Sequence, residues 1–448
     1  MTTPVPPRDA WATRVGFLMA AIGSAVGLAT MWRFAYIASE RGGAAFVLAY
    51  LVMVAVVGVP VLTAELVLGR LGQASPVVAV PRLAGRGWAP LAWLFAGSGF
   101  VLLSYYAVVS GWTLRYAWDA GLGRVPADAA AYFGSVASGP DAAVAHLAFM
   151  ALTVAVVARG VKGGLERANL ILMPALFVLL VGLVLWAATL DGGGPGYAAY
   201  LAPRPADLWD LETLSWAAGQ TFFALSVGIG GMATYASYLR SRENLGREAT
   251  TIALADTAVA FVAGLMVFPV IYHFGLQDRV AESTLGALFI SVPAALATLG
   301  RVGDLVAAAF FVMLFFAALT SAISVLEVVV AAFVDGRGWS RRRAAVGLGT
   351  VIALLGAPAA FSTTWLGAID QIVGNFLIVV GGLGICALVG HRLRTAGDAE
   401  LARGLANPAA RRAWSVFVRY VAPALLLVVL WSTLGPTWRA VRTLVGLG

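Results

Sequence analysis

Two short stretches of this chain carry their chemistry in the backbone. GSAVGLAT (residues 23–30) and SVGIGG (226–231) each interrupt an apolar segment long enough to cross a bilayer. Glycine costs about 1 kcal/mol relative to alanine inside a helix, so such clusters favour an unwound stretch with freed amides and carbonyls. At membrane depth, freed groups are tolerated only where they line a cavity or hold something. Amides at a half-helix N-terminus suit an anion, and carbonyls at a half-helix C-terminus suit a cation. Close packing of helices through small residues would account for either cluster taken alone.

Side chains add three further candidates. Asp256 stands in the apolar run TTIALADTAVAF, where an ionisable group is expensive and by default points to function, the bland reading being a hydrogen bond near a helix end. Thr320 and Ser321, in FFAALTSAISVLE, offer hydroxyl oxygens that suit a hard cation, although bonding back to the preceding helical turn is the ordinary use of such residues. His146, His273 and His391 are scattered without metal-ligand spacing, and the single Cys386 sits in an apolar run, which excludes a disulfide framework and a thiolate site. There is no paired acid dyad and no Ser/His arrangement, so the chain is not read as an enzyme.

The elements that must position these residues follow from composition. Of 448 residues, 60% are hydrophobic and only 12% charged, with a mean hydropathy of +0.88, whereas soluble domains are about 25% charged. The apolar runs are continuous and helix-length, so the fold class is an all-α polytopic membrane protein. Reading runs between charge and Gly/Pro clusters places spans at 13–38, 43–69, 89–119, 142–159 and 166–190, then at 213–239, 246–274, 301–334, 343–358 and 366–391, with an eleventh at 415–435. The apolar stretch 280–300 is too short to span and reads as a re-entrant or surface helix. The N-terminus lacks a cleavable-signal pattern, so the first helix is retained.

One integrated transport domain, 1–448, is expected: two groups of five helices (13–190 and 213–391) plus helix eleven. No residue-level repeat is visible, but the two glycine clusters open the two groups. Interrupted helices at corresponding places of two inverted repeats are the best sequence pointer to a transporter binding site.

Charge gives the orientation. Alternate loops carry Arg70, Arg82 and Arg86; Arg159, Lys162 and Arg167; Arg240, Arg242 and Arg247; Arg337 and Arg341 to Arg343; and Arg392, Arg394, Arg403, Arg411 and Arg412. The intervening loops are richer in acid, as at Asp119, Asp128, Asp141, Asp207, Asp210 and Glu212. Basic loops stay in the cytoplasm, so the N-terminus is expected inside the cell's inner (plasma) membrane and the C-terminus outside. The net charge of +8 is then a topology signal and not a mark of nucleic-acid binding.

With these residues in view the chain resembles the neurotransmitter:sodium symporter family. The likeness lies in WATRVGFLMAAIGSAVGLATMWRF (11–34), in GGAAFVLAYL and GVPVLTAELVLGR of helix two, in SYYAVVSGWTL of helix three, in GQTFFALSVGIGGMATYASY of helix six and in FFAALTSAISVLE of helix eight. It covers nearly the whole chain up to the eleventh helix; the family's common twelfth helix is expected to be absent, as in some bacterial members. The resemblance implies a sodium-coupled symporter for a neutral amino acid working by alternating access in the lipid bilayer. A proton-coupled permease of the same architecture, with Asp256 titrating, and a non-transporting amino acid sensor are the alternatives.

Carried over by residue, the resemblance implies that the substrate carboxylate meets the amides of Leu28 and Ala29 and the hydroxyl of Tyr106. The ammonium would face carbonyls of Ala25, Phe223 and Ala224 and the hydroxyl of Ser226. Gly27 stands where monoamine-transporting relatives carry an Asp, which disfavours monoamines. Leu102, Phe223, Ile229, Ser321 and Val325 would line a mostly apolar side-chain pocket, which favours a hydrophobic or aromatic substrate.

One or two sodium ions are implied. The second ion site would use carbonyls of Gly23, Val26 and Ala317 with the hydroxyls of Thr320 and Ser321. The first departs from the family pattern: beside Ala25, Thr30 replaces an Asn and Ala224 a Thr, with Asp256 as compensation and as an argument against chloride dependence. Gates would pair Arg33 with Asp370 outside and Arg8 with Asp335 inside, supported by Gln220 and Tyr238 respectively.

Overall fold

The computed structural model describes residues 9–124, 128–202, 210–239, 243–277 and 284–446, and within them the regular structure is entirely helical. Among the described residues nine helices are long and apolar enough to cross a membrane. They are α2 (Ala44–Gly72), α3 (Arg86–Gly121), α4 (Pro140–Val157), α5 (Val161–Ala187), α7 (Leu245–His273), α8 (Arg301–Arg337), α9 (Arg341–Phe361), α10 (Thr363–Arg392) and α11 (Pro408–Leu444). Two more spans are discontinuous. α1 consists of Arg14–Ala25 and Ala29–Glu40, bent by 59° at the break, and α6 of Leu211–Ala224 and Gly231–Ala236.

The helix starts are written in capping residues. Side chains of Thr13, Asp210, Asn244, Ser340, Ser362 and Asn407 each accept a hydrogen bond from an amide in the first turn of the helix that follows, satisfying donors that would otherwise be orphaned. Asn407, followed by Pro408, explains why α11 begins seven residues before its expected start at 415: the polar turn containing Arg411 and Arg412 reads as loop by charge but is a capped helix. Residues 284–297 form short helices that lie across the bundle, with the Phe289 ring packed against Trp112, Tyr116 and Phe311.

The core is built around the broken helices. In α2, α7 and α8, 67% of the apolar window is buried inside the protein, against 28% in α5 and 33% in α11, so the last two form part of the outer wall.

Hydrogen bonds sort the connecting segments into two ends. At one end the N-terminal segment joins the first turns of α5 (Ala12 and Thr13 to Glu166) and α7 (Arg14 to Glu248). There too, the segment after α2 joins α8 (Ser75 to Asp335) and α10 (Ala84 to Arg392). These are the segments that carry the Lys/Arg clusters, including exposed Lys162, the chain's only lysine. At the opposite end, Arg41 pairs with Glu212 at 2.6 Å, His273 meets the Asp191 carbonyl, and Gly139 donates to the Ala360 carbonyl. Arg240 and Arg242, two of the basic residues, lie outside the described residues, as does Asp207 among the acidic ones.

Candidate functional site

The breaks in α1 and α6 face each other. In α1 the helix ends at Ala25, the Val26 amide still donates to the Ile22 carbonyl, and beyond the break Thr30 and Met31 both donate to the Gly27 carbonyl. The Leu28 and Ala29 amides lie ahead of that turn, in half-buried positions. In α6 the chain leaves the helix after Ala224 and passes through Ser226 (φ +50°), Gly228 (φ +100°) and Gly230 (φ +73°). A left-handed conformation costs a non-glycine residue roughly 1–2 kcal/mol. Ser226 accepts that cost where its hydroxyl donates to the Ser24 carbonyl at 2.9 Å, tying the two breaks together. At Gly228 no side chain is possible, because a Cβ would run into the Ile378 carbonyl of α10.

α8 runs unbroken past both. Ser321 reaches the carbonyls of Gly23 and Ser24 at 3.3 and 3.4 Å, and Thr320 lies 3.0 Å from the Ala317 carbonyl. The break of α1 and the continuous α8 therefore gather Gly23, Ala317, Thr320 and Ser321 in one place, with Val26 at the start of the α1 break. On the other side of α1, the Thr30 hydroxyl lies 3.2 Å from the Ala25 carbonyl and 2.8 Å from Asp256 Oδ1, and the Tyr50 hydroxyl lies 3.4 Å from Asp256 Oδ2. Asp256 is fully buried. Ala224 is buried at the end of the first half of α6.

Between these oxygen clusters stand Gly27 and Tyr106. The Tyr106 hydroxyl is buried without a hydrogen-bond partner, and it stands 3.4 Å from where a Cβ on Gly27 would be, with Ser321 Oγ at 2.9 Å. A side chain at Gly27 would press against both hydroxyls. Leu102, Ile229 and Val325 are buried, and Phe223 is half-buried. Among the described residues no group of three His, Cys, Asp or Glu side chains is arranged to hold a metal. The donors at hand are hydroxyls, main-chain carbonyls and one carboxylate, a set suited to a hard monovalent cation.

The two ends of the site differ. Towards the end bearing Arg41 and Glu212, a vestibule of about 410 Å³ is lined by Arg33, Trp216, Gln220, Phe223, Asn375 and Thr433 among others. Arg33 makes no ion pair with Asp370; its guanidinium lies 4.6 Å over the Phe223 ring. Gln220 donates to the Ala29 carbonyl at 3.2 Å. Towards the basic end the path is closed. Trp11 donates to the Tyr235 carbonyl at 2.9 Å, Glu166 accepts from the Ala12 amide at 2.8 Å and from Thr13, and Tyr238 donates to Glu327 at 2.6 Å. Arg341 bridges Glu327 and Asp9. Asp335 accepts from the Ser75 amide at 2.6 Å; Arg8, its expected partner, lies outside the described residues.

Three acids that the sequence reading passed over hold this arrangement. Glu65, fully buried on α2, accepts from the Gly228 and Met232 amides at 2.7 and 3.1 Å, placing negative charge at the N-terminus of the second half of α6, where the helix dipole favours it. Glu327 and Glu166 anchor the closed end. The signal for Glu65 and Glu327 was the one that marked Asp256, an acid inside an apolar helix.

Known proteins resemble the chain along nearly its whole length. The profile of the sodium:neurotransmitter symporter family matches residues 8–129 and 138–435. An uncharacterized sodium-dependent transporter of Bacillus subtilis, YhdH, is 35% identical over 95% of this chain and 97% of its own. Another from Methanocaldococcus jannaschii is 33% identical over 84% of this chain and 80% of its own. The crystal structure of MhsT in complex with L-phenylalanine superposes with a TM-score of 0.85 at 36% identity, covering 95% of this chain and all of that one.

Proposed function

The chain belongs to the sodium:neurotransmitter symporter family, and from that premise we propose that it is a sodium-coupled symporter taking up a neutral amino acid with a hydrophobic or aromatic side chain. The observation that carries this is the unpartnered Tyr106 hydroxyl facing Gly27 between two unwound helices. The Leu28 and Ala29 amides and the Tyr106 hydroxyl receive the carboxylate, while the carbonyls of Ala25, Phe223 and Ala224 with Ser226 receive the ammonium. Leu102, Phe223, Ile229, Ser321 and Val325 surround the side chain. MhsT, crystallised with L-phenylalanine, supports an aromatic cargo.

Sodium binds at Gly23, Val26, Ala317, Thr320 and Ser321, and a second ion at Ala25, Thr30, Ala224 and Asp256. The Asp256 carboxylate supports independence from chloride. Helices 13–190 and 213–391 act as the two repeats of one transport domain, with helix eleven outside them. The basic end faces the cytoplasm, so the vestibule opens outward, with the C-terminus on its side of the membrane. Arg33 and Asp370 then close over the cargo while the Trp11, Glu166 and Arg341 contacts at the inner end release, together with Arg8 and Asp335, under Tyr238.

Uptake of labelled L-phenylalanine and other amino acids into proteoliposomes tests this. An imposed sodium gradient should drive accumulation and an imposed proton gradient should not; accumulation driven by protons alone would overturn the proposal. Thr320→Ala should abolish the sodium-driven component.

A further inference from the structure

We propose that Asn169 on α5 gives its carboxamide oxygen to the sodium ion held between α1 and α8, adding a third helix to that site; this rests on the sodium-coupled reading above.

Asn169 is fully buried. Its Nδ2 donates to the Leu165 carbonyl at 2.8 Å, which fixes the amide's orientation, since only the NH2 side can donate to a carbonyl. The oxygen is thereby directed away from its own helix, and it has no hydrogen-bond partner. It is aimed at Gly23: a Cβ there would collide with Asn169 Oδ1 and would stand 3.0 Å from Thr320 Cβ. The carboxamide and Thr320 thus border one point on α1, next to the Gly23 carbonyl that Ser321 approaches at 3.3 Å.

Met173 Sδ also borders this point, at 3.1 Å, and the oxygens here are acceptors or hydroxyls already turned onto a carbonyl, as Thr320 is onto Phe316 and Ala317. A buried acceptor facing other acceptors loses its hydration without recompense. A hard cation among them supplies the missing partner to all of them together. α5 lies on the outer wall, so an ion touching Asn169 is touching the helix through which the site comes nearest to the periphery.

The test is 22Na+ binding to the purified full-length protein, with Asn169→Leu, Asn169→Asp and Thr320→Ala beside the parent. Leu preserves volume and avoids a cavity. Both Asn169 variants lose the bond to Leu165, so a purely structural role would move them the same way. A ligand role moves them oppositely: Leu should weaken half-saturation by about tenfold, the lower range for residues that tune a metal site, and Asp, with a full charge, should tighten it. Shifts in the same direction, or curves superimposable on the parent, overturn the assignment. If Thr320→Ala shifts the curve while both Asn169 variants do not, only Asn169 is wrong. If the parent binds no 22Na+, the sodium reading falls and this inference with it.

Discussion

Tyr106 has a buried hydroxyl without a hydrogen-bond partner, and its removal separates stability from binding. A buried unsatisfied donor costs about 1–3 kcal/mol, whereas a hydrogen bond to a charged group contributes about 1.5–3 kcal/mol. Tyr106→Phe should therefore melt no lower than the parent, yet bind amino acid roughly tenfold to a hundredfold more weakly, as read by thermal unfolding with and without L-phenylalanine. Unchanged affinity would remove Tyr106 from the carboxylate's partners. Asp256→Asn is expected to keep the bond to Thr30 through its carbonyl oxygen while losing the charge. Sodium half-saturation of transport should rise about tenfold, within the range for a lost ligand or supporting group, and added chloride should recover part of it. A sodium curve identical to the parent's would leave Asp256 a structural group. Asp256 was legible from sequence as an acid in an apolar run. Glu65 carried the same mark, but its partners are main-chain amides exposed only because α6 unwinds, and one sequence does not say which carboxylate meets which break.

At the scale of elements, the glycine clusters identified both interruptions. The length of the α6 break, six residues against three in α1, was not legible, because Ser226 is an unremarkable residue until its left-handed backbone is seen. Helix starts were misplaced where charge masks a cap, as at Asn407. Gly228 is the most constrained point of α6, since a Cβ meets the Ile378 carbonyl and the backbone lies at φ +100°. Gly228→Ala should lower stability by about 1–3 kcal/mol from backbone strain alone and weaken amino acid binding with it, because the Glu65 bonds to Gly228 and Met232 depend on this geometry. A melting curve and binding isotherm equal to the parent's would show that the break tolerates a side chain.

Over the whole molecule, the alternation of basic and acidic loops anticipated which segments meet at each end. Composition alone could not indicate which end stands open. That difference is held by a few contacts at the closed end, with Glu166 taking three hydrogen bonds from the segment before α1. Glu166→Gln removes the charge that strengthens them, at about 1.5–3 kcal/mol for a charged hydrogen bond. Amide exchange across residues 12–20 should quicken roughly tenfold or more, with the amides around Arg33 unaffected; uniform quickening would mean global destabilisation and not release of one end.

Lys162 has a practical consequence. With one ε-amine in the entire polypeptide, exposed in the first turn of α5, an amine-reactive dye that cannot permeate lipid has a single side-chain target, on the same face as the N-terminal segment. Vesicles in which the dye reacts from the bulk phase hold the protein with its N-terminal face outward, so the labelled fraction measures directly how a reconstituted population is inserted.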